Sequence, residues 1–327
     1  MTLLQIRNLS VVYHNGSRTV TAVNGVTLDV EEQDSVGIVG ESGSGKSTLA
    51  MALLRLLPGR TAKVEGEVLF GGQPLLELGE RELSCLRWKE LAVVFQKSMN
   101  SLSPVHRIGT QMADVYRLHE HETRLSKKQV RERIIKLLES VRLPARVYDL
   151  YPHELSGGMM QRVSIALGLM HRPRLLILDE ATTALDVVTQ GQILREMMEL
   201  EQELRLARIM ITHDMSVVAA ACKKVAVMYA GHLVEFGPVQ DVLRHPLHPY
   251  TQGLLRSLPS FKGAKDHIRG IPGSLPDLSS PLQGCVFADR CEHAMPICRQ
   301  AQPVDTAYSG SRRVACHLIG GEAHAAQ

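Results

Sequence analysis

"GESGSGKST", Gly40 to Thr48, stands between the apolar run "SVGIV" (Ser35–Val39) and the helix-period run "LAMALLRLL". It fits G-x-x-x-x-G-K-[ST], and a strand before with a helix behind is the context in which that pattern holds phosphate. Glycine lets backbone N–H groups approach phosphate oxygens with no Cβ in the way. The helix N-terminus adds the positive end of a dipole. The whole loop is therefore expected to bind a nucleotide: Gly40, Glu41, Ser42, Gly43, Ser44, Gly45, Lys46, Ser47 and Thr48. Lys46 would reach the β- and γ-phosphates, and the Ser47 hydroxyl would coordinate Mg²⁺. The alternative, a glycine turn with no ligand, is at odds with both flanks.

The second half of such a site lies in "LLILDE". Four apolar residues predict a central strand, with Asp179 at its C-terminal end able to hold Mg²⁺ through water. Glu180 follows as the carboxylate that orients or deprotonates the attacking water; capping of the next helix is the bland alternative for both acids. His213 closes the apolar run "ARIMIT", where a lone histidine has a structural reading too. Between the phosphate loop and this strand comes "ELSGGMMQRV" (Glu154–Val163), a second Ser-Gly-Gly turn opening onto a helix. By itself it reads as an ordinary serine N-cap.

Strand-type runs dominate the first ~75 residues: "LLQIRNLSVVY", "TAVNGVTLDV", "SVGIVG" and "EGEVLFGG". The helix that starts at the phosphate loop is expected to run to Pro58-Gly59. "LAVVF" (Leu91–Phe95) predicts a buried strand, and Ser103 to His171 is mostly helical, with Val130, Ile134, Leu137, Leu138 and Val141 on one face. Beyond that, apolar strands alternate with helices, which predicts a parallel sheet covered on both faces. After Arg244 the periodicity fades and four of the six cysteines follow, so a domain boundary is expected near residue 245.

Composition narrows the function class. Of 327 residues, 44% are apolar and 22% charged, as in folded soluble proteins. Net charge is only +3 and aromatics are 4%, with no basic stripe, so nucleic acid is not an expected partner. No apolar run approaches the ~20 residues that span a bilayer, and the start lacks the pattern of a signal peptide. A cytosolic chain is expected, in which six cysteines would not form structural disulfides.

"GESGSGKST", "LSGGM", "LILDE", "ALD" and "ITHD", in that order and spacing, resemble the nucleotide-binding subunit of an ABC transporter over roughly residues 3–245. The resemblance implies an α/β fold: a P-loop, RecA-like core with an antiparallel β subdomain and a helical subdomain at about 97–171. Residues 1–245 would form this ATPase domain and residues 246–327 a small Cys-containing C-terminal extension. It also explains the second turn. In the family two subunits pack head to tail, and Ser156, Gly157, Gly158 and Met159 would contact the ATP held by the partner's phosphate loop. Met159 departs from the common Gln there, a departure also seen in the peptide-importer branch. Tyr13 matches the aromatic that stacks on adenine, with an exposed strand-end tyrosine as the alternative. Gln96 matches the glutamine that ligates Mg²⁺ beside Ser47 and Asp179. Asp186 matches the D-loop aspartate, which can equally cap a helix. The resemblance gives Glu180, His213 and Lys46 catalytic roles, with His213 sensing the γ-phosphate.

"HPYTQGLLRSLP" (His248–Pro259) and "GCVFADRCEHAMPICRQAQP" (Gly284–Pro303) resemble the C-terminal extension of oligopeptide, dipeptide and nickel importer ATPases. This implies ATP-driven import of peptides, or alternatively nickel or another chelated metal. The partners would be two permeases, an extracytoplasmic substrate-binding protein and a second ATP-binding subunit. Branch precedent makes that subunit a paralogue, although intact motifs leave a homodimer open. The chain would sit peripherally on the cytoplasmic face of the inner membrane. A soluble, non-transport ABC ATPase is the rival, but about 110 residues without heptads separate loop and signature. Cys285, Cys291, Cys298 and Cys316 are expected to hold a 4Fe–4S cluster, with Zn²⁺ or free packing thiols as alternatives. The histidines of "HPLHPY" read as turn chemistry before metal ligands, and Cys85 and Cys222 as buried small hydrophobes.

Overall fold

The computed structural model describes residues 1–16, 18–95, 102–120, 125–181, 186–257, 270–280 and 282–320. In chain order the strands and helices are β1 (Thr2–Asn15), β2 (Arg18–Glu31), β3 (Ser35–Val39), α1 (Lys46–Leu53), β4 (Ala62–Phe70), β5 (Gln73–Pro74), α2 (Glu80–Leu86) and β6 (Leu91–Val94). There follow α3 (Ile108–His119), α4 (Lys127–Ser140), α5 (Gly157–Gly168), β7 (Leu175–Asp179), α6 (Val187–Leu204), β8 (Ala207–Thr212), α7 (Met215–Ala221) and β9 (Lys224–Tyr229). Last come β10 (His232–Pro238), α8 (Val239–Arg244), α9 (Pro249–Arg256), β11 (Thr306–Ser309), β12 (Arg312–Val314) and α10 (His317–Gly320). The chain divides into two compact units.

One unit holds Thr2–Val30, Ser35–Leu76 and Ile211–Gln327. Its first sheet has the order β2-β1-β4-β5, with β1 antiparallel to β4 from Leu4↔Phe70 to Tyr13↔Ala62. Its second runs β11-β12-β10-β9-β3. β3 is fully buried, as its unbroken apolar run requires, and pairs parallel with β9. β9 then turns at Ala230-Gly231, both at positive φ (47° and 82°), into an antiparallel β10. Two positive φ values are what a two-residue hairpin needs. This side of the sheet is therefore antiparallel, where alternation of strands and helices predicted a parallel one. β12 adds to β10 through Glu235↔Val314. The C-terminal residues also enter the core of this unit: Val286 and Phe287 pack with Val39, Val227, Tyr229, Val234 and Tyr250. Burying a side chain such as Phe287 stabilises by about 1.5–3 kcal/mol.

The other unit holds Met1, Glu31–Asp34 and Glu77–Met210. Here β7 lies between β6 and β8, and β6 pairs parallel with it from Leu91↔Leu175 to Val94↔Leu178. α4 begins on a capping box, with Ser126 accepting from Gln129 N–H, and it buries Val130, Ile134 and Leu138 as the 3.6-residue period predicts. α5 and α6 are joined by a bidentate ion pair from Arg162 to Glu196, at 2.9 and 3.0 Å. Cys85, expected to be buried, is exposed, because α2 turns only Leu83 inward. Cys222 is half-buried.

Candidate active site

The phosphate loop is shaped by two glycines that admit no side chain. At Gly40 (φ 156°) a Cβ would sit 2.1 Å from the Met228 carbonyl oxygen, and at Gly45 (φ 98°) 2.2 Å from that of Ala22. Lys46, 5% exposed, opens α1 and donates from Nζ to the carbonyls of Gly40 and Glu41, both at 2.8 Å, and to Ser44 Oγ at 3.3 Å. Gly231 N–H donates to the Ser44 carbonyl at 3.0 Å, so the hairpin turn and the loop hold each other. Ser42, Gly43 and Ser47 are exposed. Tyr13 is half-buried near the end of β1, and His213 follows β8 at the surface. Asp214 behind it caps α7, accepting from Ser216 N–H at 2.8 Å.

Glu41, expected among the nucleotide contacts, stands in the loop, but its carboxylate is engaged elsewhere. Arg290 grips it with a two-pronged ion pair at 2.9 and 3.1 Å, and Glu41 N–H donates to Tyr250 Oη at 2.9 Å. Burial works against the Arg290 charge, yet the bonds to Glu41 and Tyr229 hold its pKa above the ordinary arginine value. Burial raises the pKa values of Tyr229 and Tyr250, so both phenols stay protonated. Sequence reading missed Arg290, Tyr229 and Tyr250. "HPY" and "ADRC" were visible as motifs, but nothing in their spacing says that they meet the phosphate loop.

In the other unit, β7 delivers Asp179, buried at 5% exposure, and then Glu180, whose backbone takes φ 49°. A left-handed conformation at a non-glycine residue stores strain and concentrates at functional sites. Ser156 caps α5, its Oγ accepting from Met159 N–H at 3.3 Å, with Ser156 and Gly157 exposed and Gly158 and Met159 half-buried. The exposed turn thus presents the amino end of a twelve-residue helix, where an anion is favoured. Asp186 caps α6 through Thr189, at 2.9 Å to N–H and 2.7 Å to the hydroxyl, and these bonds lower its pKa. Gln96, and residues 182–185 before Asp186, lie outside the described residues.

The four cysteines expected to hold a 4Fe–4S cluster, Zn²⁺ or no metal lie in the C-terminal residues. Cys285 N–H donates to the Cys298 carbonyl at 2.7 Å, and the thiols are near enough to raise one another's pKa. Among the described residues, however, no group of three or more His, Cys, Asp or Glu side chains is arranged to hold a metal. Burial is the main cause that lifts Cys285 to about 11 and also raises Cys291 and Cys316. Nothing among the described residues supports the 4Fe–4S cluster or the Zn²⁺ expected there. In "HPLHPY", His248 is the N-cap of α9, its Nδ1 accepting from Tyr250 N–H at 3.0 Å. Buried Glu235 takes the N–H groups of Leu247 and His248, both at 3.0 Å, together with the guanidinium of Arg312. Turn chemistry accounts for this motif.

Known proteins share this sequence almost end to end. The chain is 44% identical over 318 residues to the probable peptide ABC transporter ATP-binding protein y4tR of Sinorhizobium fredii, across 96% of this chain and 94% of that one. It is 44% identical to the oligopeptide transport ATP-binding protein OppD of Salmonella typhimurium, across 96% and 93%. Residues 23–183 match the ABC transporter family. The chain belongs to that family. As an ABC ATPase it couples ATP hydrolysis to transport, and its residues 234–298 match the oligopeptide/dipeptide transporter C-terminal region. The fold agrees: the bacterial ABC transporter cassette MJ0796, solved as a dimer, superposes with a TM-score of 0.65 at 27% identity, across 72% of this chain and 98% of that one. Among the described residues of this ABC ATPase, no helix is long and apolar enough to cross a membrane.

Proposed function

We propose that this ABC ATPase drives the import of peptides, and that each residue at the site acts as follows. ATP lies on Gly40–Thr48, with Tyr13 against adenine and Lys46 on the β- and γ-phosphates. Mg²⁺ keeps most of its water and takes few protein ligands, all oxygen; the exposed Ser47 hydroxyl and the buried Asp179 carboxylate fit that demand and would hold it. There it would supply charge neutralisation at the phosphates. Glu180 accepts a proton from the attacking water, and His213 hydrogen-bonds the γ-phosphate. Ser156–Met159 close over the nucleotide of a second ATP-binding subunit, and Asp186 lies at that junction. Two permeases and a substrate-binding protein complete a transporter in which this chain is peripheral, on the cytoplasmic face of the membrane.

The observation that supports peptide as cargo is the match of residues 234–298 in a chain whose peptide-transport relatives align over nearly its full length. The test is uptake by proteoliposomes carrying the complete transporter. ATP-dependent accumulation of a labelled peptide, abolished by Glu180→Gln, is expected. Accumulation of nickel with no uptake of any peptide from a mixed-length library would overturn the assignment.

A further inference from the structure

Arg290 belongs to the C-terminal extension, at the end of a short 3₁₀ turn (Ala288–Arg290), yet its side chain ends at the phosphate loop and is only 7% exposed. A guanidinium has five N–H donors, and each has a partner here. Nη1 donates to Glu41 Oε2 at 2.9 Å and to Tyr229 Oη at 3.2 Å. Nη2 donates to Glu41 Oε1 at 3.1 Å and to the Ile271 carbonyl at 3.2 Å. Nε donates to the Pro272 carbonyl at 2.7 Å. Two further contacts join the same parts: Tyr250 Oη accepts from Glu41 N–H, and Leu275 Cδ1 lies 3.4 Å from where a Cβ on Gly43 would stand. The extension thus touches the loop at its second and fourth residues through three separate side chains.

We infer that Arg290 is a positioning residue for ATP binding: by pairing with Glu41 it fixes the first turn of the phosphate loop and cancels a negative charge that would otherwise face the triphosphate. The inference rests on the reading that Gly40–Thr48 binds ATP. Two physical effects act together. A bidentate arginine–carboxylate pair fixes orientation as well as distance, and loop N–H groups must be preorganised to receive phosphate without loss. Glu41 also places a carboxylate in the very loop that must accept a polyanion. Left unpaired, that carboxylate would repel the phosphates, and the buried Arg290 guanidinium answers it. The extension therefore supplies part of the ATP site in this chain.

The test is titration of ATP into the full-length chain in the absence of divalent metal, so that nothing is hydrolysed, with thermal unfolding of each variant recorded alongside. Arg290→Ala should raise the Kd for ATP about tenfold or more, the scale on which a stripped buried charge pair is felt. Adding Glu41→Gln to Arg290→Ala should recover part of that loss, because the uncompensated charge has gone while the pairing that fixes the turn has not returned. If Arg290 served only to tie down Ile271 and Pro272, the second substitution would restore nothing. Arg290→Gln keeps a planar donor for those carbonyls while remaining neutral, and it is read in the same way if the alanine variant does not fold. ATP binding within twofold of wild type for the Arg290 variants, or no recovery in the double variants, overturns the inference. Lys46→Ala serves as the control: if it leaves ATP affinity unchanged, the fault lies with the loop assignment and not with Arg290.

Discussion

Glu180 combines a reactive carboxylate with a left-handed backbone (φ 49°), directly after the buried Asp179. Such a conformation costs a non-glycine residue roughly 1–3 kcal/mol and persists only where the surroundings impose it. Here the buried strand β7 imposes it by ending at Asp179 and turning the next residue out of the sheet. A general base contributes typically about 10²–10⁴-fold to the rate. Glu180→Gln should therefore reduce phosphate release by roughly that factor, with ATP still bound at the wild-type affinity and the backbone undisturbed. Turnover at the wild-type rate in a phosphate-release assay would remove Glu180 from the base's role. Both acids were legible in the sequence because four apolar residues followed by Asp-Glu define a strand end. The strain at Glu180 was not, since a dihedral angle leaves no mark on composition.

At the scale of elements, periodicity located most strands and helices, and errors arose where a terminus depends on one residue's conformation. α1 was expected to run to Pro58-Gly59 but stops at Leu53. Leu56 N–H bonds the Met51 carbonyl and Arg55 N–H that of Ala52, with Arg55 at φ 50°. This is the Schellman arrangement, with arginine where glycine is the usual sign, so the sequence hid it. α9 shows a terminus of another kind. Its N-cap His248 is 1% exposed, and burial pushes its pKa from 6.5 down to about 3. Below pH 6.5 an unfolded histidine takes up a proton that the native His248 refuses. Stability from this residue is thus fully present above pH 6.5 and is lost as pH falls from there toward 3, by at most about 1.4 kcal/mol per pH unit. His248→Asn keeps an acceptor for Tyr250 N–H but does not titrate. Urea midpoints at pH 7 and pH 5 should fall less for this variant than for wild type, and equal falls would exclude His248 as the source.

For the whole molecule, the sequence revealed which motifs exist but not which of them meet. The C-terminal cysteines drew attention by their spacing, while the ion pair that ties the extension to the phosphate loop is made by Arg290, one unremarked residue before Cys291. The same limit applies to the Ser-Gly-Gly turn, whose partner is proposed to lie in another chain. If so, lesions at the two ends of the site must separate. Ser156→Arg places a bulky cation on an exposed turn and keeps α5 intact apart from one cap bond, worth about 1 kcal/mol. It should leave ATP titration into the isolated chain unmoved while lowering ATP turnover by the assembled transporter to half or less. Lys46→Ala should do the reverse for affinity, weakening ATP binding in the isolated chain itself. Were Ser156→Arg to weaken ATP binding by the chain that carries it, or to leave transporter turnover whole, the nucleotide would not be shared between subunits. ATP would then be an internal ligand of one chain, and pairing would have no part in its hydrolysis.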